Sequence, residues 1–292
     1  MKPARRDGKP FAELLQPQVG YSIERNINLT LAALTMIIFF ILIMMPLGEL
    51  FMYSAKEGFF IFFDRIFQPA TLHSLLLTFQ IALFTSVVNI VVGTAMAFVL
   101  VRTRIPGKRI IDAIVDIPLA IPTVVIGFAL LLLYSPNGFL GQHIVDSGIR
   151  LMFTFPGILL AHIFVTFPYM VRQVGTVLES LDKNYENASK TLGANSWQTF
   201  FYVTLPSLKA GIIAGGVLVF AKSLGEFGAT MMVSGNLMFK TRTAPLQIYS
   251  LFNTGDLEGA SAVAIVLAVA SFIILFTLKI VTSGNKRGGT FE

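Results

Sequence analysis

The sequence predicts an all-α, polytopic membrane protein with six transmembrane helices and both termini in the cytoplasm. Three observations predict it. Hydrophobic residues make up 54% of the 292-residue chain and charged residues 13%, against about 25% charged in soluble domains. Apolar runs of about the 20 residues that a bilayer crossing needs recur between clusters of charge. Basic residues gather on one side of those runs, so the formal net charge of +6 marks cytoplasmic loops rather than nucleic-acid binding. A soluble globular enzyme of this composition would leave large apolar surfaces in water. With no cysteine and only His73, His143 and His162, disulfide frameworks, thiolate nucleophiles, zinc ribbons and iron–sulfur clusters are excluded, and no metal or cofactor is implied.

The spans follow in order. The first covers 29–50, free of charge until Glu49, and the second covers 75–101, apolar apart from Gln80 and Asn89. A third, 110–134, carries Asp112, Asp116, Pro118 and Pro122 in its first half, and a fourth, 155–177, includes His162 and Pro168. Both read as broken or polar-faced helices. The fifth, 208–233, contains Lys222 and Glu226, and the sixth, 260–281, is uniformly apolar. Residues 1–28 form a cytoplasmic tail, partly amphipathic. Its apolar stretch is too short for a secretory signal and no small-residue cleavage site follows. Residues 283–292 form a second tail.

Charge sets the orientation. Lys2, Arg5, Arg6, Lys9 and Arg25 precede the first span, and Arg102, Arg104, Lys108 and Arg109 fill the loop after the second. Arg172, Lys183, Lys190 and Lys209 flank the loop after the fourth, and Lys279, Lys286 and Arg287 end the chain. By the positive-inside rule these lie in the cytoplasm. The other side holds Lys56, Arg65, Arg150, Lys240 and Arg242, each with acidic residues nearby. Short loops leave no room for a soluble catalytic domain. Neither a phosphate-cradling Gly-x-x-x-x-Gly-Lys-Ser/Thr loop nor His-Glu-x-x-His is present, and no catalytic residue is assigned.

The longest segment on the basic side, 179–207, reads as two short helices, Asn184 to Leu192 and Ser196 to Val203, joined at Gly193-Ala194-Asn195. Gly193 ends the first and Ser196 caps the second. Trp197, Phe200, Phe201 and Val203 give the second helix more apolar surface than a solvated loop exposes. It is either a docking knob for a partner or an interfacial helix held in lipid headgroups.

The run Asn187-Ala188-Ser189, three residues, Gly193, nine residues, Val203-Thr204-Leu205-Pro206 resembles the coupling-loop motif of ABC importer permeases. That motif is Glu-Ala-Ala, three residues, Gly, nine residues, Ile-x-Leu-Pro. Asn187 stands where the motif has Glu and Ser189 where it has the second Ala, while Glu186 sits one position earlier, placed to take over a charge contact. Ser223-Leu224-Gly225-Glu226-Phe227-Gly228-Ala229-Thr230 with Ser234-Gly235-Asn236 resembles a signature of the sulfate and molybdate branch. Ile105 to Arg109 with Asp112, Asp116-Ile117-Pro118 and Ile121-Pro122-Thr123 resembles the sulfate permease pattern ahead of its third span, as does Ser135-Pro136-Asn137-Gly138.

The resemblance implies a type I permease fold in a bacterial or archaeal inner membrane and import of a tetrahedral oxyanion, sulfate or thiosulfate ahead of molybdate or tungstate. It also implies partners: a cytoplasmic ATP-binding subunit dimer that hydrolyses ATP, a second permease subunit, identical or related, and an extracytoplasmic oxyanion-binding protein docking around Ser135 to Thr154 and Ser234 to Leu257. Glu186, Asn187, Ala188, Ser189, Gly193, Leu205 and Pro206 would couple to the ATP-binding subunit, with the Trp197-Phe200-Phe201 face anchoring the loop to its own helices. Lys222, Ser223, Gly225, Glu226, Gly228 and Thr230 are candidates for the translocation path. Lys222 and Glu226, four apart on one helix face, form either a path pair or a buried packing pair. Gly211 and Gly215 read as close helix packing, and His162 as a hydrogen-bonded packing residue. A secondary carrier remains as an alternative class, although no internal repeat supports it. An intramembrane enzyme would need a convergent Ser/His or paired-Asp set, and His162 has no matched partner in the sequence.

Overall fold

The computed structural model describes residues 18–54, 56 and 58–284. The tail expected over 1–28 lies outside the described residues as far as position 17, and the tail expected over 283–292 from position 285. The chain divides into two units, Met1–Met52 and Tyr53–Glu292. Helix α1, Gln18–Ser54, accounts for the described part of the first. Its apolar stretch Ile27–Ser54 is 28 residues long, about 42 Å of helix against a hydrocarbon core of about 30 Å.

The second unit is a succession of helices. They are α2 (Phe59–Phe67), α3 (Pro69–Arg102), α4 (Lys108–Ala120), α5 (Thr123–Tyr134), α6 (Gly141–Asp146), α7 (Phe155–Ser180), α8 (Lys183–Thr191) and α9 (Ser196–Thr199), then a π-helical turn (Phe200–Thr204), α10 (Leu205–Ser207), α11 (Lys209–Leu224), α12 (Gly228–Ser234), α13 (Ala244–Asn253) and α14 (Leu257–Gly284). Among the described residues four helices are long and apolar enough to cross a membrane, Ile27–Ser54, Pro69–Arg102, Phe155–Ser180 and Leu257–Thr277. The number rises to six if two bent pairs each count as one span: Lys108–Ala120 with Thr123–Tyr134 at 110°, and Ser196–Ser207 with Lys209–Leu224 at 65°.

Two breaks in the expected spans have local causes. The third expected span breaks at Ile121-Pro122, where the residue before proline is driven out of the helical region (φ −98°, ψ 135°) and the proline has no N–H to continue the ladder. The fifth expected span is not one helix either. It ends at Leu224, passes through Gly225, Glu226 and Phe227, and resumes as the short α12. Two glycines weaken the helix there, and tertiary contact makes the break useful. A Cβ on Gly127 of α5 would lie 2.6 Å from Ala229 Cα and one on Gly228 2.9 Å from Val124 N, so α5 and α12 cross backbone to backbone.

Helices α3, α7 and α11 pack mutually at the centre, with α12 against α5 and α7, α4 against α7, and α13 and α2 against α14. Gly211 and Gly215 bring α11 onto α7: added Cβ atoms would stand 2.8 Å from Val177 Cγ2 and 2.6 Å from Met170 Sδ. Two large apolar layers and a smaller one, Leu75 with Ala244 and Val263, fill the unit. One large layer joins Leu77, Ile81, Ile126, Ile158, Val165 and Val233. The other joins Leu100, Val115, Met170, Val174, Leu208 and Val219. Arg102, the last residue of α3, meets the 179–207 segment, whereas the first turns of α3 meet residues 239 and 244. The two loops therefore sit at opposite poles of this unit.

Candidate functional site

The 179–207 segment is a rigid two-helix element. Asp182 caps α8 by accepting the Asn184 N–H at 2.9 Å. The helix ends in a Schellman turn: Gly193, with φ +89°, donates its N–H to the Lys190 carbonyl, and the Ala194 N–H reaches the Ser189 carbonyl, each at 3.0 Å. Glycine is required there because an L side chain is strained at that φ. The cap of α9 is Asn195 and not the expected Ser196. Asn195 Oδ1 accepts the Gln198 N–H and Gln198 Oε1 accepts the Asn195 N–H, both at 2.9 Å, a reciprocal capping box that leaves Ser196 as the first helical residue. The π-helical turn follows from Pro206, whose missing N–H breaks the regular ladder just ahead. The Leu205 N–H bonds instead five residues back to the Phe200 carbonyl.

Glu186 ties this element to α3. Its Oε1 accepts Arg102 Nε at 3.0 Å and Thr204 Oγ1 at 3.2 Å, and Arg102 Nη2 donates to the Leu181 carbonyl at 3.0 Å. The two side chains are 7% and 13% exposed, Arg102 first. Ser189 shares a 2.9 Å hydrogen bond with Thr199, locking α8 to α9. Asn187, Ala188, Gly193 and Pro206 are exposed and Leu205 is half-buried. The expected aromatic anchor is a single residue. Phe200 packs edge-on against Phe98 of α3 with ring centroids 5.0 Å apart, whereas Trp197 stacks on Phe201 and both face outward, Trp197 73% exposed. With Tyr185, Leu192 and Tyr202 they form an exposed apolar and aromatic face.

The path candidates separate. Lys222 and Gly225 are exposed, while Ser223, Glu226, Gly228 and Thr230 are buried. The expected Lys222–Glu226 pair is absent among the described residues, because the helix that would align them stops at Leu224. Glu226 turns instead to the start of α12, where its Oε1 accepts the Ala229 N–H at 3.0 Å. A carboxylate is stabilised by such a helix-start donor without needing a cation.

What joins the buried candidates is His162 of α7, 1% exposed. Its Nδ1 lies 2.6 Å from Ser223 Oγ and its Nε2 lies 2.7 Å from Thr230 Oγ1. Thr230 donates its proton to the Glu226 carbonyl at 3.2 Å, so it accepts from Nε2–H, and Nδ1 accepts from Ser223. The belt continues through the His162 carbonyl, which accepts Thr166 Oγ1 at 2.7 Å, to Asn89 of α3, whose Nδ2 donates to Thr166 Oγ1 at 2.8 Å. One imidazole thus spans the break in the fifth expected span and joins α7, α11 and α12, and the His162 carbonyl and Thr166 extend the belt to α3. A second cluster sits nearer the loop pole. Arg172 of α7 grips Asp116 in bidentate fashion at 2.8 and 2.5 Å and Asp112 at 2.8 Å, fastening α4 to α7. These partnerships escape single-sequence reading. The signal was present, since polar groups within apolar spans call for interior partners. Among the described residues no group of His, Asp and Glu is arranged to hold a metal.

Comparison with known proteins adds lineage to this geometry. Residues 89–283 match the family described as binding-protein-dependent transport system inner membrane component. The chain is 38% identical over 255 residues to the sulfate transport system permease protein CysT of Escherichia coli, covering 87% of this chain and 92% of that one. It is 36% identical over 253 residues to a probable sulfate transport system permease protein of Chlorokybus atmophyticus, covering 87% and 88%. In fold it resembles a chain of a bacterial ABC transporter involved in import of the acidic polysaccharide alginate, with TM-score 0.76, 18% identity, and coverage of 94% of this chain and 100% of that one.

Proposed function

This chain belongs to the family of inner membrane components of binding-protein-dependent transport systems, and on that premise we propose that it is the permease subunit of an ATP-driven importer of sulfate or thiosulfate. It is a multi-pass protein of the inner membrane. Similarity to sulfate permeases along 87% of its length is the observation that carries the cargo assignment. The fold carries the permease assignment, and molybdate and tungstate are the competing cargoes.

In this reading the partners are an ATP-binding subunit dimer in the cytoplasm, a second permease subunit, and an extracytoplasmic oxyanion-binding protein. Hydrolysis of ATP belongs to the first of these, and this chain transports without catalysing. The exposed face around Trp197 and Tyr202 docks on the ATP-binding subunit. Displacement of α8 is transmitted through Glu186–Arg102 to α3 and through Phe200–Phe98 to the same helix, because a capped, ion-paired element moves as a body where a floppy loop would absorb the motion. Lys222 and Gly225, at the break after α11, are exposed and offer a cation and open backbone to a passing anion. Ser223, Glu226, Gly228 and Thr230 hold that break in shape from behind. A dianion passes best over a modest positive potential, since a strongly basic trap would retain it.

Extraction in mild detergent tests the subunit assignment. The ATP-binding subunit should accompany the chain, and a double replacement of Trp197 and Tyr202 by Ser should release it without changing helix content. A chain that emerges alone and still carries sulfate into ATP-free vesicles would establish a secondary carrier instead.

A further inference from the structure

The pole opposite the coupling loop holds an arginine that neither the belt nor the coupling element uses. Arg242 precedes α13 and makes no ion pair among the described residues. Its Nε donates to Asn236 Oδ1 at 2.9 Å, its Nη2 to the Asn236 carbonyl at 3.3 Å and its Nη1 to Gln247 Oε1 at 3.4 Å. All three acceptors are neutral, so the guanidinium keeps its full charge. Two of its five donors remain open. By contrast Arg65 is paired with Asp256, and Arg102 and Arg172 with carboxylates of their own.

Two neighbours add an unused donor and positive potential. Thr243, the N-cap of α13, is 1% exposed and its Oγ1 makes no hydrogen bond, neither capping the helix nor reaching another group. Helix α13 is ten residues long; its first amide is given to Thr78 Oγ1 at 2.7 Å and Pro245 has none, so its first turn, which the guanidinium meets at Gln247, adds positive potential rather than open donors. Asn236, which holds the guanidinium, is itself fixed by Ser250 at 3.1 Å and by its own N–H on Ser234 Oγ at 3.1 Å. A half-buried, carboxylate-free guanidinium, an unused buried hydroxyl and a helix start suit a tetrahedral dianion, which accepts hydrogen bonds from every direction and donates none.

We infer that Arg242 and Thr243, at the start of α13, form an entry station that receives the oxyanion at this pole before it reaches the break beside Lys222. The inference rests on the oxyanion-importer reading. Transport therefore needs Arg242 for its charge, not for the shape of the 235–243 loop.

The test uses vesicles holding the chain with its ATP-binding subunit and saturating sulfate-binding protein. Arg242→Gln should cut sulfate uptake about tenfold or more, the scale of one charge-assisted contact. Arg242→Lys should recover most of it, and Thr243→Val should lie between. Lys56→Gln, an exposed lysine outside both docking loops, should change nothing. An unchanged rate in Arg242→Gln, or equal losses in Arg242→Gln and Arg242→Lys, would overturn the station. A binding readout guards against a merely misfolded loop. The chain has no cysteine, so Lys240→Cys supplies a unique thiol whose maleimide labelling sulfate should slow relative to chloride at matched ionic strength. Adding Arg242→Gln should abolish that protection, and protection surviving it, or missing from the Lys240→Cys protein itself, would contradict the station. Wild-type vesicles with an intact complex and no oxyanion uptake would instead sink the importer reading.

Discussion

The coupling element and the His162 belt are both polar assemblies inside an apolar chain, but they are built from different distances. In the coupling element nearly every bond joins residues a few positions apart: Asp182 with Asn184, Gly193 with Lys190, Asn195 with Gln198, Ser189 with Thr199. Its long-range bonds, from Arg102 to Glu186 and to the Leu181 carbonyl, attach a finished object to the bundle. In the belt Asn89, His162, Ser223 and Thr230 come from four helices, and the side-chain links of His162 to Ser223 and Thr230 and of Asn89 to Thr166 all join distant residues, with only Thr166 to the His162 carbonyl local. The first is a module that can be pushed as a unit. The second is a clasp that exists only when the helices are assembled, and it bridges the point where one of them is interrupted. A transporter needs both, a lever that does not bend and a centre whose helices keep register while they move.

The largest effect should come from the lever's attachment. Glu186→Ala strands the Arg102 charge, 7% exposed, and should cost about 3 kcal/mol or more. It is read as a lower unfolding midpoint in detergent and loss of the co-purifying ATP-binding subunit, with Glu186→Gln keeping part of both. His162→Leu should follow at about 2–3 kcal/mol, because the Ser223 and Thr230 hydroxyls lose their buried partner. Unlike Glu186→Ala it should leave ATP-binding-subunit recovery intact in protein that remains folded. If both variants lose the partner alike, lever and clasp are one cooperative structure and the contrast fails.

Smaller effects sharpen it. Gly127→Ala places a Cβ 2.6 Å from Ala229 Cα, a backbone atom that cannot swing aside, and should cost about 1–3 kcal/mol by thermal unfolding. Ser189→Ala removes one hydrogen bond to Thr199 and should cost about 1 kcal/mol or less, with coupling retained. Lys222→Met, at an exposed and unpaired position, should shift stability by less than about 0.5 kcal/mol while lowering sulfate uptake. Unchanged uptake in an assembled complex would remove Lys222 from the path.

The same difference in distance explains what the sequence made legible. Spacing alone located the two-helix element of 179–207, its Gly193 turn and its polar and aromatic content, because those are short-range facts. It misplaced one cap, since Asn195 and Ser196 are both good N-cap residues and the reciprocal bond to Gln198 decides between them. It also drew Trp197 and Phe201 inward with Phe200, a matter of helix phase in a π-helical turn that sequence periodicity does not describe. The apolar spans were readable from composition and length, and Pro122 announced the break before α5. The break after Leu224 was hidden: glycines at 225 and 228 are tolerated in many membrane helices, and the packing of Gly127 and Gly228 between α5 and α12 is what fixes the chain there. The four-residue spacing of Lys222 and Glu226 then suggested a pair that an interrupted helix does not make. His162 was legible as a packing residue, but its partners, 61 and 68 positions away, were not.

The central claim is tested most directly by ATP hydrolysis of the complete complex in liposomes, this chain with its ATP-binding subunit and binding protein, under sulfate, thiosulfate, molybdate and tungstate in turn. The account predicts stimulation by sulfate or thiosulfate and none by the other two. Stimulation by molybdate or tungstate in their place would reverse the cargo, and an intact complex indifferent to all four anions would contradict the oxyanion assignment while leaving the permease fold.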